Sequence, residues 1–202
     1  MSFDYSHYCG NCGNHQHQQL LFDVCVFELD WFIGSVASTF LYFLLGWHVH
    51  EKAILPTIIL AGMLIPTSVI DCKIFFLLSL SGTIGLFPLL FTTRDIITEF
   101  ALSITYFVIC WYVFDRFSQS AFTNSFSLMD KAIILLLILA CCFSYGVFPL
   151  LEKCSGLPFK NLPFLPLMAI SVSCALSNCY VFVLSIRQLY KQKVDYICLF
   201  QL

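Results

Sequence analysis

Gly46-Trp47-His48-Val49-His50-Glu51-Lys52-Ala53-Ile54-Leu55 sets two imidazoles, a carboxylate and an ammonium between two long apolar runs. Its reading decides the fold, because charged groups flanked on both sides by runs near ~20 apolar residues mark the boundary of a membrane crossing. Ionisable groups are costly to hold there unless water, a partner or a ligand meets them, so this is also the first place to look for function.

The rest of the chain agrees. Of its 202 residues 59% are hydrophobic and 11% are charged, and a soluble domain of this size needs more polar surface to cover itself. The formal net charge of -2 gives no basic footprint, which argues against nucleic acid as a partner. Residues 1–19 are polar and carry no Lys or Arg, so no cleavable signal peptide is expected and the first crossing should insert as an uncleaved segment.

Outward from the central stretch, six apolar segments read as crossings: 31–47, 53–70, 74–91, 96–114, 132–151 and 165–186. The expected fold class is an all-α membrane protein with about six transmembrane helices. Residues 1–30 read as a polar, disordered head, 31–193 as one polytopic domain, and 194–202 as a cytosolic tail. Pro56, Pro66 and Pro88 fall in the second and third crossings, where neighbouring helices can satisfy the freed carbonyls. Connections are short except 115–131 and 152–164.

Six crossings place both termini on one side. That side receives Lys73, Arg116, Lys131, Arg187, Lys191 and Lys193, against Lys52, Arg94, Lys153 and Lys160 on the other, which makes the tail cytosolic. Residues 48–52, 92–95 and 152–164 then share the opposite, lumenal face. Cys110, Cys141, Cys142, Cys174 and Cys179 lie within apolar runs and read as packing residues. In the head, Cys9, Cys12, His15 and His17 have a spacing that could close on zinc, but no flanking core orients them, and disorder is the simpler reading. Glu99 is an acid inside a crossing, one turn from its lumenal end, and reads either as a helix-end acid or as a group facing a cavity.

The chemistry of the central stretch follows from its side chains. As a helix it puts His48, Glu51 and Lys52 on one face, and as an extended segment it aligns His48, His50 and Lys52. Either way His48 and Lys52 are juxtaposed. An imidazole that can protonate beside an ammonium suits an anion better than a metal ion, so phosphate is the expected ligand. Two histidines do not complete a metal site, and Lys52 would repel the cation. A plainer reading stays open, in which Trp47 anchors at headgroup depth and the charges are solvated. Arg94, on the same face, either adds a second cation or is a solvated loop residue. Lys153 and Lys160 are weaker candidates.

The motif Trp47-His48-Val49-His50-Glu51-Lys52-Ala53, followed by Gly85-Leu86-Phe87-Pro88-Leu89-Leu90-Phe91-Thr92 and Leu162-Pro163-Phe164-Leu165-Pro166-Leu167, resembles the C-terminal part of the endoplasmic reticulum dolichyl-phosphate-glucose alpha-1,3-glucosyltransferases. Within that family it looks closest to the members that add the second glucose to the lipid-linked oligosaccharide. The likeness runs from about residue 34 to 193, and residues 1–30 are unmatched. It implies part of a type C glycosyltransferase membrane domain, multi-pass in the endoplasmic reticulum membrane, acting in protein N-glycosylation on dolichyl-linked donor and acceptor lipids. It implies no cofactor and no metal, with His48, Lys52, His50 and Arg94 on the donor phosphate and Glu51 and Trp47 orienting them. Inverting transfer also needs a carboxylate base. In this family that base lies in the first lumenal loop of a longer chain, so no catalytic residue is assigned here and the chain alone is expected to hold only the donor-phosphate half. Two other classes stand beside this one. The first is a non-catalytic membrane protein that binds polyprenyl phosphate or a partner transferase. The second is a transporter using His48 and His50, which predicts an inverted repeat that the sequence does not display.

Overall fold

The computed structural model describes residues 34–45, 51–89, 96–118, 121–153 and 164–200. The regular elements among them are all helical, as expected. They are α1 (Gly34–Leu45), α2 (Leu55–Met63), α3 (Val69–Leu86), α4 (Ile96–Phe117), α5 (Ala121–Asn124), α6 (Leu128–Cys142), α7 (Phe148–Lys153) and α8 (Leu165–Phe200). A 3₁₀ turn, Glu51–Ile54, leads into α2, and a π-helical turn, Phe143–Val147, joins α6 to α7 as one rod.

Four stretches among the described residues are long and apolar enough to cross a membrane: Val69–Leu86, Ile97–Phe117, Leu128–Leu150 and Leu165–Lys191. The expected second crossing is broken in the structure. Residues 53–70 do not form one helix, because α2 has 9 residues and would cover only about 14 Å at 1.5 Å per residue. Pro56 starts it, where a missing N–H is no loss. Pro66 stops it, because a proline cannot continue the ladder and biases its predecessor away from helix. The turn through Thr67 then reverses the chain, and Ser68 caps α3 by accepting a hydrogen bond from the Asp71 amide at 3.2 Å.

Two further boundaries differ from expectation. The connection 115–131 is largely structured: it holds the end of α4, all of α5 and the start of α6, which opens with a reciprocal cap between Ser127 and Asp130. At the other end, α8 continues beyond 186, and beyond the start of the expected tail, to Phe200.

Helix α3 is the centre of the bundle. Nearly every residue from Asp71 to Leu78 is buried, so it has no solvent or lipid face there. It runs antiparallel to α8: Gln188 Nε2 donates to Ser68 Oγ at 3.1 Å, and Ser81 Oγ meets Asn178 Oδ1 at 2.6 Å. Against its other side pack the aromatics of α4, α5 and the turn before α6. Phe76 meets Phe107, Trp111, Phe122 and Phe126 edge to face at 5.6 to 6.2 Å, and Trp111 stacks on Phe126 at 5.2 Å. The cysteines divide: Cys141 and Cys174 are buried and Cys110 is half-buried, as packing residues should be, whereas Cys142 and Cys179 lie on exposed faces.

Lys73 is the largest departure. Expected in a cytosolic connection, it lies inside α3 and is buried, with its ammonium 3.1 Å from Asp130 Oδ2 and 3.3 Å from the Ser125 carbonyl. Asp130 is fully buried and shared out completely. Its Oδ2 also accepts from the Ser127 amide at 2.7 Å, and its Oδ1 accepts from the Tyr180 hydroxyl at 2.7 Å. Breaking a buried pair by neutralising one member leaves a bare charge, at a cost of about 3–5 kcal/mol. Asp130→Asn should therefore lower the unfolding temperature sharply in a detergent melt, and adding Lys73→Met should recover most of the loss.

Candidate functional site

The described part of the central stretch is its end. Trp47, His48, His50 and Arg94 lie outside the described residues, and for Glu51 and Lys52 the backbone alone is described, in the 3₁₀ turn. For residues 51–54 the turn is helical rather than extended. Its last residue, Ile54, is 2% exposed and is held against α3.

Gly82 makes that docking possible. A Cβ there would stand 2.7 Å from Ile58 Cδ1 and 3.4 Å from Ile54 Cγ2, so an alanine would crowd the end of the Ile58 side chain while Ile54 stayed near ordinary contact. Beside this contact is a cavity of about 260 Å³ between α1, the turn, α3 and α8. Phe43 and Ile54 wall it on one side; Ser81, Gly85, Ala175 and Asn178 wall it on the other. Its polar floor is buried: Ser81 is 1% and Asn178 4% exposed. Cys174 adds a weak contact, its Sγ 3.4 Å from the Ser81 carbonyl.

A second and larger cavity, about 620 Å³, lies on the opposite side of α3, among α3, α4 and α6. Leu80, Phe87, Phe100, Phe107 and Trp111 make it almost wholly apolar. Glu99 occupies the first turn of α4 and is half-buried. An acid is favoured at a helix N-terminus, which agrees with the helix-end reading.

The structure therefore ties the end of the central stretch to a polar-floored cavity, while the imidazoles and Arg94 fall outside what it describes. Sequence reasoning passed over Ser81 and Asn178. The available signal was a carboxamide within an apolar run, since polar side chains at that depth need a partner. Lys73 and Asp130 were passed over for a different reason: each sits at the edge of an apolar run, where a charge reads as part of a loop.

A bundle of helices long and apolar enough to cross a membrane defines an integral-membrane protein, here with a polar-floored cavity among its helices. The comparisons make the class specific. Residues 19–185 match the ALG6, ALG8 glycosyltransferase family, a match that takes in residues 19–30, which the resemblance had left unmatched. The chain belongs to that family. It is 35% identical over 150 residues to a Chaetomium globosum protein and 33% identical over 143 residues to a Mus musculus protein, covering 69% and 68% of this chain. A Dictyostelium discoideum protein is 40% identical over 82 residues, 41% of this chain. All three are named dolichyl pyrophosphate Glc1Man9GlcNAc2 alpha-1,3-glucosyltransferase. The chain matches 29%, 25% and 13% of their respective lengths. No solved structure matches the chain.

The Gly82 contact gives a direct test of the local geometry. Gly82→Ala should destabilise the protein by about 1–3 kcal/mol through overpacking. Ile58→Val removes the Cδ1 atom in the way, so the double variant should melt close to the wild type.

Proposed function

We propose that this chain supplies the donor-lipid half of an inverting alpha-1,3-glucosyltransferase of the endoplasmic reticulum membrane. The reaction moves glucose from dolichyl-phosphate glucose to a glucosylated high-mannose lipid-linked oligosaccharide, the second-glucose step, for protein N-glycosylation. Family membership supports the class, and the names of the relatives support the acceptor. The observation that carries the reading to a place on this chain is the docking of Ile54 against Gly82. That contact holds Ile54, two residues after Lys52, beside a cavity with a polar floor, which supports looking for the donor phosphate nearby.

In this reading the acceptor hydroxyl attacks the anomeric carbon of the donor glucose from the face opposite the phosphate. The carbon–oxygen bond to dolichyl phosphate breaks, and its electron pair leaves on the phosphate. His48 and Lys52, with His50 and Arg94, meet that developing charge, so the reading requires no cofactor or metal. Glu51 orients the neighbouring cations through charge-assisted bonds, and Trp47 sets the depth of the stretch at the headgroups. The carboxylate that takes the acceptor proton is assigned to none of these residues.

Charge-assisted hydrogen bonds contribute about 1.5–3 kcal/mol each, which is roughly ten- to a hundredfold in affinity. With the full chain in lipid vesicles, His48→Ala and Lys52→Ala should each weaken binding of dolichyl-phosphate glucose by about that factor. Wild-type affinity in both variants would overturn the assignment.

A further inference from the structure

We propose that the cavity among α1, the 51–54 turn, α3 and α8 is a hydroxyl-recognition pocket, in which Asn178 and Ser81 take a sugar hydroxyl of the lipid-linked donor. The proposal rests on the reading of His48 to Lys52 as the phosphate grip and adds what lies next to the phosphate.

The argument begins with the cost of the residues. A carboxamide and a hydroxyl inside a membrane bundle need partners, and interhelical hydrogen bonding is one way to supply them. Ser81 and Asn178 do bridge α3 and α8 at 2.6 Å. Helix glue of this kind is normally accompanied by close packing of small residues. Here small residues are present on both helices, Gly85 on α3 and Ala175 on α8, yet they border open space. A Cβ on Gly85 would find only ordinary contact, 3.7 Å from Cys174 Sγ. Gly85 and Ala175 thus serve twice, letting α3 and α8 approach and leaving space beside the polar pair.

The pair is also chemically suited to a hydroxyl. Ser81 Oγ has one proton and two acceptors in reach, the Leu78 carbonyl at 3.0 Å and Asn178 Oδ1 at 2.6 Å. When the proton goes to Asn178 Oδ1, the amide NH₂ of Asn178 remains to donate. When it goes to Leu78, a carboxamide turned over donates to Ser81 and keeps its oxygen free to accept. The pair can thus offer a ligand either half of a hydrogen bond, and a sugar hydroxyl both donates and accepts.

Size and place complete the case. At about 260 Å³ the cavity falls below the ~300–1,000 Å³ typical of drug-sized ligands, which suits one hexose ring and not an oligosaccharide. Ile54 walls it and closes the turn that begins at Glu51, so the cavity adjoins the described end of the stretch in which His48 and Lys52 are proposed to hold the phosphate.

The test compares two ligands, dolichyl-phosphate glucose and dolichyl phosphate, bound by the full chain in vesicles. Asn178→Ala should weaken the glucosylated lipid about tenfold and leave dolichyl phosphate unchanged. Gly85→Val, which adds bulk to the cavity and keeps both polar residues, should do the same, and a melting curve for each variant reports folding separately. Equal weakening of both ligands, or of neither, in a Gly85→Val protein that melts like the wild type would overturn the pocket. His48→Ala should weaken both ligands equally. A normal response to His48→Ala with no selectivity at Asn178 and Gly85 sinks the pocket alone, whereas unchanged binding in His48→Ala sinks the phosphate reading beneath it.

Discussion

The arrangement of this bundle depends on the ammonium of Lys73 meeting the carboxylate of Asp130 where neither can reach water. Between membrane helices the apolar drive to associate is weak, because lipid tails are as apolar as leucine. Leu77 or Phe76 would be nearly as comfortable against lipid as against a neighbouring helix. The charged pair is not indifferent in this way, since each partner is costly alone in hydrocarbon. It joins α3 to α6, and the Tyr180 hydroxyl on the other carboxylate oxygen brings in α8. Three helices are thereby fixed at one level.

From that level α3 divides the bundle into two unlike spaces. Along one side the rings of α4 and α5 pack on Phe76, and further along the same helix Leu80 and Phe87 line the large apolar cavity. Most side chains of α4 remain uncovered, Ile97, Leu102, Val108 and Tyr112 among them, so its outer face is left to lipid or to further protein. Along the opposite side Ser81, Gly82 and Gly85 face α8 and the approach to α2. The buried Ser81–Asn178 contact lies on the side where Ile54 docks, whereas the cavity on the other side is almost wholly apolar.

How much of this was legible in the sequence follows from what each residue type reveals by itself. Long apolar runs are unambiguous, and the segments that became α3, α4, the α6–α7 rod and α8 were read within about five residues as spans, apart from the extension of α8 to Phe200. The break after Met63 was harder, because Pro66 in a membrane run is compatible with a kinked crossing as well as with a turn. Ser68 decides between them, since a serine three residues before Asp71 is a helix start. Lys73 and Asp130 lie 57 residues apart. Each alone looks like a solvated loop charge, and nothing in one dimension announces that the two meet. The same holds for Ser81 and Asn178, 97 residues apart. The family was readable because Trp47 to Ala53 is a run of unusual residues, which a local motif can carry.

The two polar contacts have a joint consequence that neither has alone. Ser81 follows Lys73 by eight residues, about 12 Å along α3, so the ion pair and the Asn178 contact sit roughly two turns apart on one rod. Helix α8 meets both, through Tyr180 and Asn178, and a third point is the bond from Gln188 to Ser68. A slip of α8 by one turn, about 5.4 Å, would cost the apolar contacts little but would break the Asn178 and Gln188 bonds to α3 and draw Tyr180 away from Asp130 on α6. Register between α3 and α8 is therefore set by polar groups that the apolar surface could not have specified. Because Ile54 docks on Gly82 of the same helix, that register decides which residues of α8 stand across the cavity from Ile54.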